Sequence, residues 1–167
     1  MEPIEFTIYG EPRPAGSKQS FPVINQKTGE PVRAKDTGRI ITRVKHDNPK
    51  TQEWMSHVAQ VAGEVMADGP MFEGPVSLTL IFFRPRPKTH YGTGKNAETI
   101  KDSAPVFPTT RPDTVKLTRA VEDALTGVCW KDDSQVVNHK LAKRYGKRFE
   151  VWVLIEPLQA AQRQEEK

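Results

Sequence analysis

Apolar and polar positions along this chain follow two periods, and the changes between them mark its elements. Ile4 to Tyr9 alternates, Phe6 and Ile8 against Thr7 and Tyr9, which predicts a first strand. Glu11 to Ser20 is a Pro/Gly loop rich in positive charge, and Phe21 to Arg43 reads as an irregular hairpin with turn signals at Lys27-Thr28-Gly29 and Thr37-Gly38. After Asn48, a good N-cap, and Pro49 at the first helical position, Trp54, Val58, Val61, Ala62 and Val65 recur at helical spacing until Gly69-Pro70. Val76 to Phe83 reads as a strand with Val76, Leu78, Leu80 and Phe82 on one face. Ile81 and Phe83 on the other predict burial of its far half on both sides.

Arg84 to Arg111 is a proline-rich connection of 28 residues, beyond the length at which connections are usually functional or disordered. A second helix is predicted from Asp113 to Thr126, with Leu117, Val121, Ala124 and Leu125 as its apolar stripe and Gly127 as its stop. Gln135 to Tyr145 and Arg148 to Ile155 read as two strands paired around a Gly146-Lys147 turn. This order of elements predicts an α+β fold: a single domain over residues 1–157, with two main helices packed on one mixed β-sheet, followed by a polar tail over 158–167.

Composition narrows the function classes. No run approaches the length of a membrane span, the first ten residues lack a signal-peptide core, and Cys129 alone makes neither a disulfide framework nor a thiolate zinc cluster, so a cytoplasmic protein is expected. The net charge of +4 is unevenly spread. Pro12 to Lys50, Arg84 to Arg119 and His139 to Arg148 hold 22 of the 25 basic residues and six of the 21 acids. Separated basic stretches of this kind suit a polyanion, whose counterions are released on binding.

The acids of interest are Asp113, at the start of the second helix, and Asp132 and Asp133, before the next strand. Carboxylates converging from different elements would suit a hard divalent cation, which takes oxygen ligands and keeps several waters. Each also has a plain structural reading: Asp113 as a helix N-cap, the Asp132-Asp133 pair as turn chemistry. Lys116 and Arg119 follow Asp113 at helical spacing, placed either to neutralise a phosphate or to form an ordinary solvated face. The four histidines show no metal-binding spacing, and Cys129 beside Trp130 reads as a small buried residue. No phosphate-binding loop or dinucleotide fingerprint is present, which argues against a nucleotide cofactor. The Tyr91-Gly92-Thr93-Gly94-Lys95 run suits either a mobile loop closing on a phosphate backbone or a plain flexible loop.

The run RPDTVKLTRAVEDALTG (Arg111 to Gly127), followed by WKDDSQVV (Trp130 to Val137), resembles the RusA family of Holliday-junction resolvases, endodeoxyribonucleases common in bacteriophages and prophages. Matching positions include Pro112, Asp113, Leu117, Asp123, Ala124, Leu125, Trp130, Asp132, Asp133, Gln135 and Val136, and the likeness extends over most of Phe6 to Ile155. The resemblance implies a Mg²⁺-dependent phosphodiesterase, with Mn²⁺ as a possible substitute. It would act as a homodimer on four-way DNA junctions in DNA recombination and repair. Asp113 and Asp133 match two metal ligands of the family and Asp132 the neighbouring acid. Arg119 takes the place of the catalytic lysine, and Lys116 accompanies it. A further family acid falls at Val115, which cannot bind metal, so the alternative is a catalytically impaired protein that binds branched DNA on the same fold. The cations expected on DNA are Arg13, Lys18, Arg84, Arg86, Lys88, Lys95, Arg111, Lys140, Lys143 and Arg144.

Overall fold

The computed structural model describes residues 1–16, 18–46, 48–67 and 69–158. Of the expected tail, only Leu158 is described. A four-stranded mixed sheet is built from β1 (Ile4–Tyr9), β4 (Val76–Pro85), β5 (Val136–Gly146) and β6 (Glu150–Pro157), in the order β1-β6-β4-β5. β6 runs antiparallel to both β1 and β4, and β5 runs parallel to β4. Two helices, α1 (Pro49–Met66) and α2 (Thr114–Leu125), complete the core, so the fold is α+β as expected.

The core lies between the helices and one face of the sheet. Ile8, Leu78, Leu80, Val151, Val153 and Ile155 from the strands meet Val58 and Ala62 of α1 and Val121 and Leu125 of α2, all fully buried. Each such side chain contributes about 1.5–3 kcal/mol by leaving water. Among the described residues no α-helix covers the opposite sheet face. Ile81 and Phe83 are therefore half-buried and not enclosed on both sides. Asn48 caps α1 by accepting from the Lys50 N–H at 3.0 Å, with Pro49 following. The helix ends at Ala67 (φ 44°), two residues before the expected Gly69 stop, and Val65 of the expected apolar stripe is exposed.

One expectation is corrected. β5 and β6 do not pair as a hairpin, because β4 lies between them and bonds to both. β4 carries six apolar side chains, more than any other strand of the sheet, so an interior position removes the most apolar surface from water. The three-residue connection from Gly146 to Glu150 passes the end of β4, where a Cβ on Gly146 would stand 3.1 Å from the Phe83 Cβ. Only glycine allows that approach without displacing a neighbour.

The region expected as an irregular hairpin is a projecting arm. β2 (Lys18–Pro22) pairs antiparallel with β3 (Thr42–His46) to form its stem. Beyond the stem three segments close a ring of backbone bonds: Val23 N–H to Ile41 O, Ile41 N–H to Val32 O, and Val32 N–H to Val23 O, at 2.7–2.9 Å. Both turn signals are used, with Gly29 (φ 72°) and Gly38 (φ 66°) in the left-handed conformation that each turn needs.

Candidate active site

The chain enters α2 through Pro112 and Asp113. Asp113 has extended backbone angles and its carbonyl accepts the Leu117 N–H at 3.1 Å, so it occupies the N-cap position. Its side chain makes no capping bond. Among the described residues the carboxylate pairs only with Lys116, at 3.5 Å, in an exposed pair that is worth little to stability. Such a carboxylate keeps its oxygens free for a ligand.

The loop after β1 forms the facing wall. Ala15 N–H bonds the Lys116 carbonyl at 2.8 Å and the Thr51 hydroxyl bonds the Pro14 carbonyl at 3.2 Å, docking the loop on both helices. The resulting cleft is lined by Asp113, Glu11 and three cations: Arg13, Arg111 and Lys116. Glu11 bonds Arg13 at 2.6 Å. No sequence pattern singled out Glu11, which reaches the cleft only because its loop docks there.

The second acidic segment is built by Gln135. Its Nε2 donates to the Phe72 and Gly74 carbonyls, while its Oε1 accepts the N–H groups of Lys131 and Asp132, fixing the turn against the core. Buried Trp130 anchors the preceding residues through Nε1 to Thr126 Oγ1 at 3.1 Å. Asp132 accepts the Ser134 N–H at 2.9 Å. The bonds from Ser134 hold its carboxyl below the usual carboxylate range. Asp133 opens the short turn Asp133–Gln135. Of the two neighbouring acids, Asp132 is thus the one engaged in a cap.

Asp133 lies in the field of Glu122, on the last turns of α2. Burial raises the Glu122 carboxyl above its ordinary range; His139 at 3.3 Å works against that shift, and Asp133 and Asp123 add to it. The sequence did not mark the Glu122–His139 pair, which requires knowing that β5 lies along α2. The strand and helix run in opposite senses. Lys143 bonds the Pro112 carbonyl at 3.1 Å at one end, and His139 meets Glu122 at the other.

The two acidic segments therefore lie toward opposite ends of α2 within one chain. Nine residues separate Asp113 from Glu122, about 13.5 Å along the helix axis at 1.5 Å per residue. Among the described residues no three acid, histidine or cysteine side chains gather around one point. Val115, where the resemblance places an acid, is 72% exposed on the first turn of α2. Arg119 is exposed on the same helix.

The cations expected on DNA divide by what they touch. Arg84 donates to Thr110 Oγ1 and the Arg111 carbonyl, Arg86 to the Pro105 carbonyl, and Lys143 to the carbonyls of Thr110 and Pro112. These three hold the long connection to the sheet. Arg86 also stacks on Tyr145 at 4.1 Å, and Arg144 lies over Phe107 at 4.8 Å. Lys140 stands 3.7 Å from Glu156. Lys88 and Lys95 are exposed on short helical turns, and Lys18 opens β2. The glycine-rich run closes on itself: Tyr91 bridges Ile100, Gly92 N–H bonds the Thr99 carbonyl, and a Cβ on Gly92 would meet the Asn96 carbonyl oxygen at 2.5 Å.

Burial pushes the Cys129 thiol up to about 12, so it is no nucleophile at neutral pH. No described helix is long and apolar enough to cross a membrane. The chain is 32% identical over 164 residues to "Uncharacterized protein YqaN" of Bacillus subtilis (strain 168), covering 96% of this chain and all of that protein. The family model "Endodeoxyribonuclease RusA" matches residues 29–156, a span that takes in part of the arm, the cleft's α2 wall and both acidic segments. On that match, this chain belongs to the RusA family of endodeoxyribonucleases.

Proposed function

We propose that the protein is a divalent-metal-dependent endonuclease that hydrolyses phosphodiesters at four-way DNA junctions, with Mg²⁺ as its working ion and recombination and repair as its setting. The observation that carries the reading is Asp113: an aspartate at a helix N-cap position that does not cap, in a cleft lined by Arg13, Arg111 and Lys116. An N-cap aspartate that serves only its helix bonds the first-turn N–H groups. A free carboxylate beside cations suits phosphate with its metal.

Asp113 and Asp133 have the oxygen-donor chemistry that a hard cation takes, with Asp132 as the neighbouring acid. Their separation along α2 leads us to assign them to one ion from two different copies of the chain, so that the working unit is a homodimer with two equivalent sites. The bound ion would polarise the phosphate and lower the pKa of an attacking water. The chain's own cations have a separate task. Lys116, Arg13 and Arg111 draw a scissile phosphate into the cleft and balance the charge that grows on its oxygens, and Arg119 adds a fixed positive charge that cannot act as a proton donor at neutral pH.

A second reading rests on Val115. Its exposed apolar side chain occupies a position where the resemblance calls for an acid, which favours a protein that binds branched DNA and cuts it poorly. Incubating a labelled four-way junction with the protein and Mg²⁺ or Mn²⁺, beside gel shifts in EDTA, separates the two. The nuclease reading predicts cutting that is lost in Asp113→Asn and Asp133→Asn while binding persists. Tight binding without cutting, restored by Val115→Asp, would decide for the second reading. Intact junctions with no binding would remove both.

A further inference from the structure

The arm carries more than its share of charge. Residues 18–46 hold seven basic side chains against two acids, a net +5, while the rest of the chain holds eighteen against nineteen. The positive charge of the whole protein therefore resides in this one projection. Lys27, Arg33, Lys35 and Arg39 sit on or beside its two turns, and among the described residues only the Arg33 side chain of these four donates a hydrogen bond, to the Gly38 carbonyl at 3.0 Å. Phe21, Ile24, Ile40 and Ile41 lie between them, each more than 40% exposed. The ring of bonds joining Val23, Ile41 and Val32 ties the turn-bearing segments to one another.

The arm's position is as telling as its charge. It springs from the loop whose Glu11, Arg13 and Pro14 line the Asp113 cleft, and whose Ala15 is bonded to Lys116. From Lys18 to Ile24 the extended chain rises about 20 Å at 3.3 Å per residue. Nucleic acid leaving the cleft on that side would run beside the arm for about six base pairs, at about 3.4 Å each.

We propose that this arm is a second DNA-binding surface: it grips the phosphate backbone of one duplex limb, beside the cleft that holds the scissile phosphate. This rests on the nuclease reading above. The arm's two-stranded stem has the width to lie along a duplex groove, with the cations on the turns beyond it reaching the flanking phosphates and the apolar side chains reaching deoxyribose and base edges. A second copy of the chain is the poorer occupant, because two arms of net +5 repel one another.

The test compares the parent with Lys27→Ser/Lys35→Ser/Arg39→Ser, which leaves the Arg33 bond intact, and with the fourfold variant that adds Arg33→Ser. Dissociation constants for a four-way junction and a plain duplex are measured against NaCl concentration in EDTA, beside hydroxyl-radical footprints, sedimentation and thermal melts. The expected result is a log–log salt slope less steep by about 2 to 4 and affinity roughly 10²–10³-fold weaker at 0.1 M NaCl. Protection should be lost only at the distal six or so base pairs, with melting unchanged. The charge-keeping Lys27→Arg/Lys35→Arg variant should retain the parent's slope. If the parent binds DNA and the variants keep its slope, the arm proposal is overturned and the nuclease reading stands. A changed sedimentation coefficient at unchanged slope would assign the arm to self-association instead. A parent with no salt-dependent affinity would overturn the nuclease reading itself.

Discussion

The arm over 18–46 and the connection from Arg84 to Arg111 look alike in sequence: both are long, basic and rich in turn residues. The fold uses their cations in opposite ways. Around the connection, Arg84, Arg86, Lys101 and Lys143 spend donors on main-chain carbonyls at 2.7–3.2 Å, and Tyr145 and Phe107 lie under guanidinium groups. That segment lies flat because the protein's own charge staples it. In the arm, Lys27, Lys35 and Arg39 are exposed. Basic residues near an active site thus fall into two populations, one that builds the cleft and one that is free for a polyanion. Only their acceptors distinguish them.

The largest effect should come from the staple nearest the cleft. Lys143→Met removes the donor shared by the Thr110 and Pro112 carbonyls and should cost about 2–3 kcal/mol, since a bond to a charged group is worth about 1.5–3 kcal/mol and the exposed bond to Thr110 adds little to the part-buried one to Pro112. Because Pro112 leads directly into Asp113, junction cutting should fall in the same variant, and urea melts beside cleavage assays would show both. Unchanged stability would put Lys143 in the free population. Arg86→Ala should cost about 1–2 kcal/mol through its lost bond and its stacking on Tyr145 while leaving the DNA salt slope intact. Lys35→Ser should do the reverse, changing the slope by about 0.9 with stability within about 0.5 kcal/mol. If the two variants behave alike, the contrast fails.

The smallest effect lies at the far end of α2. Burial raises the Glu122 carboxyl, so the folded state holds that proton more tightly than the unfolded chain, whose value is near 4.5. Folding is unpenalised below that pH, and a cost appears as pH rises through the higher folded value. Glu122→Gln should remove the cost. The variant should gain less than about 1 kcal/mol over the parent at pH 8 and nothing at pH 4, as read by denaturant melts. An equal gain at both values would show that ionisation is not the cause.

Much of the architecture was legible because local chemistry decided it. Asn48-Pro49 starts α1, the Leu117–Val121–Leu125 stripe defines α2, and Gly29 and Gly38 sit in the turns they signalled. The insertion of β4 between β5 and β6 was not, because a glycine after a strand reads as a hairpin turn when it also marks a close crossing, here against Phe83. The site shows the same limit. Asp113 and Asp132 both stand where a cap is expected, yet only Asp132 accepts an N–H bond, from Ser134. The Lys143–Pro112 and His139–Glu122 contacts needed the register of β5 against α2, which no spacing within either element contains.

The proposed sharing of one ion between two chains can be tested by mixing subunits. Asp113→Asn and Asp133→Asn proteins, each inactive alone, would be co-refolded and assayed for nicking of a four-way junction in Mg²⁺. If each site takes one aspartate from either chain, every mixed dimer regains one intact site. Nicking should then return at about a quarter of the parent's site concentration, since half the dimers are mixed and each carries one working site of two. A mixture as inactive as its components, although sedimentation shows mixed dimers, would contradict the account.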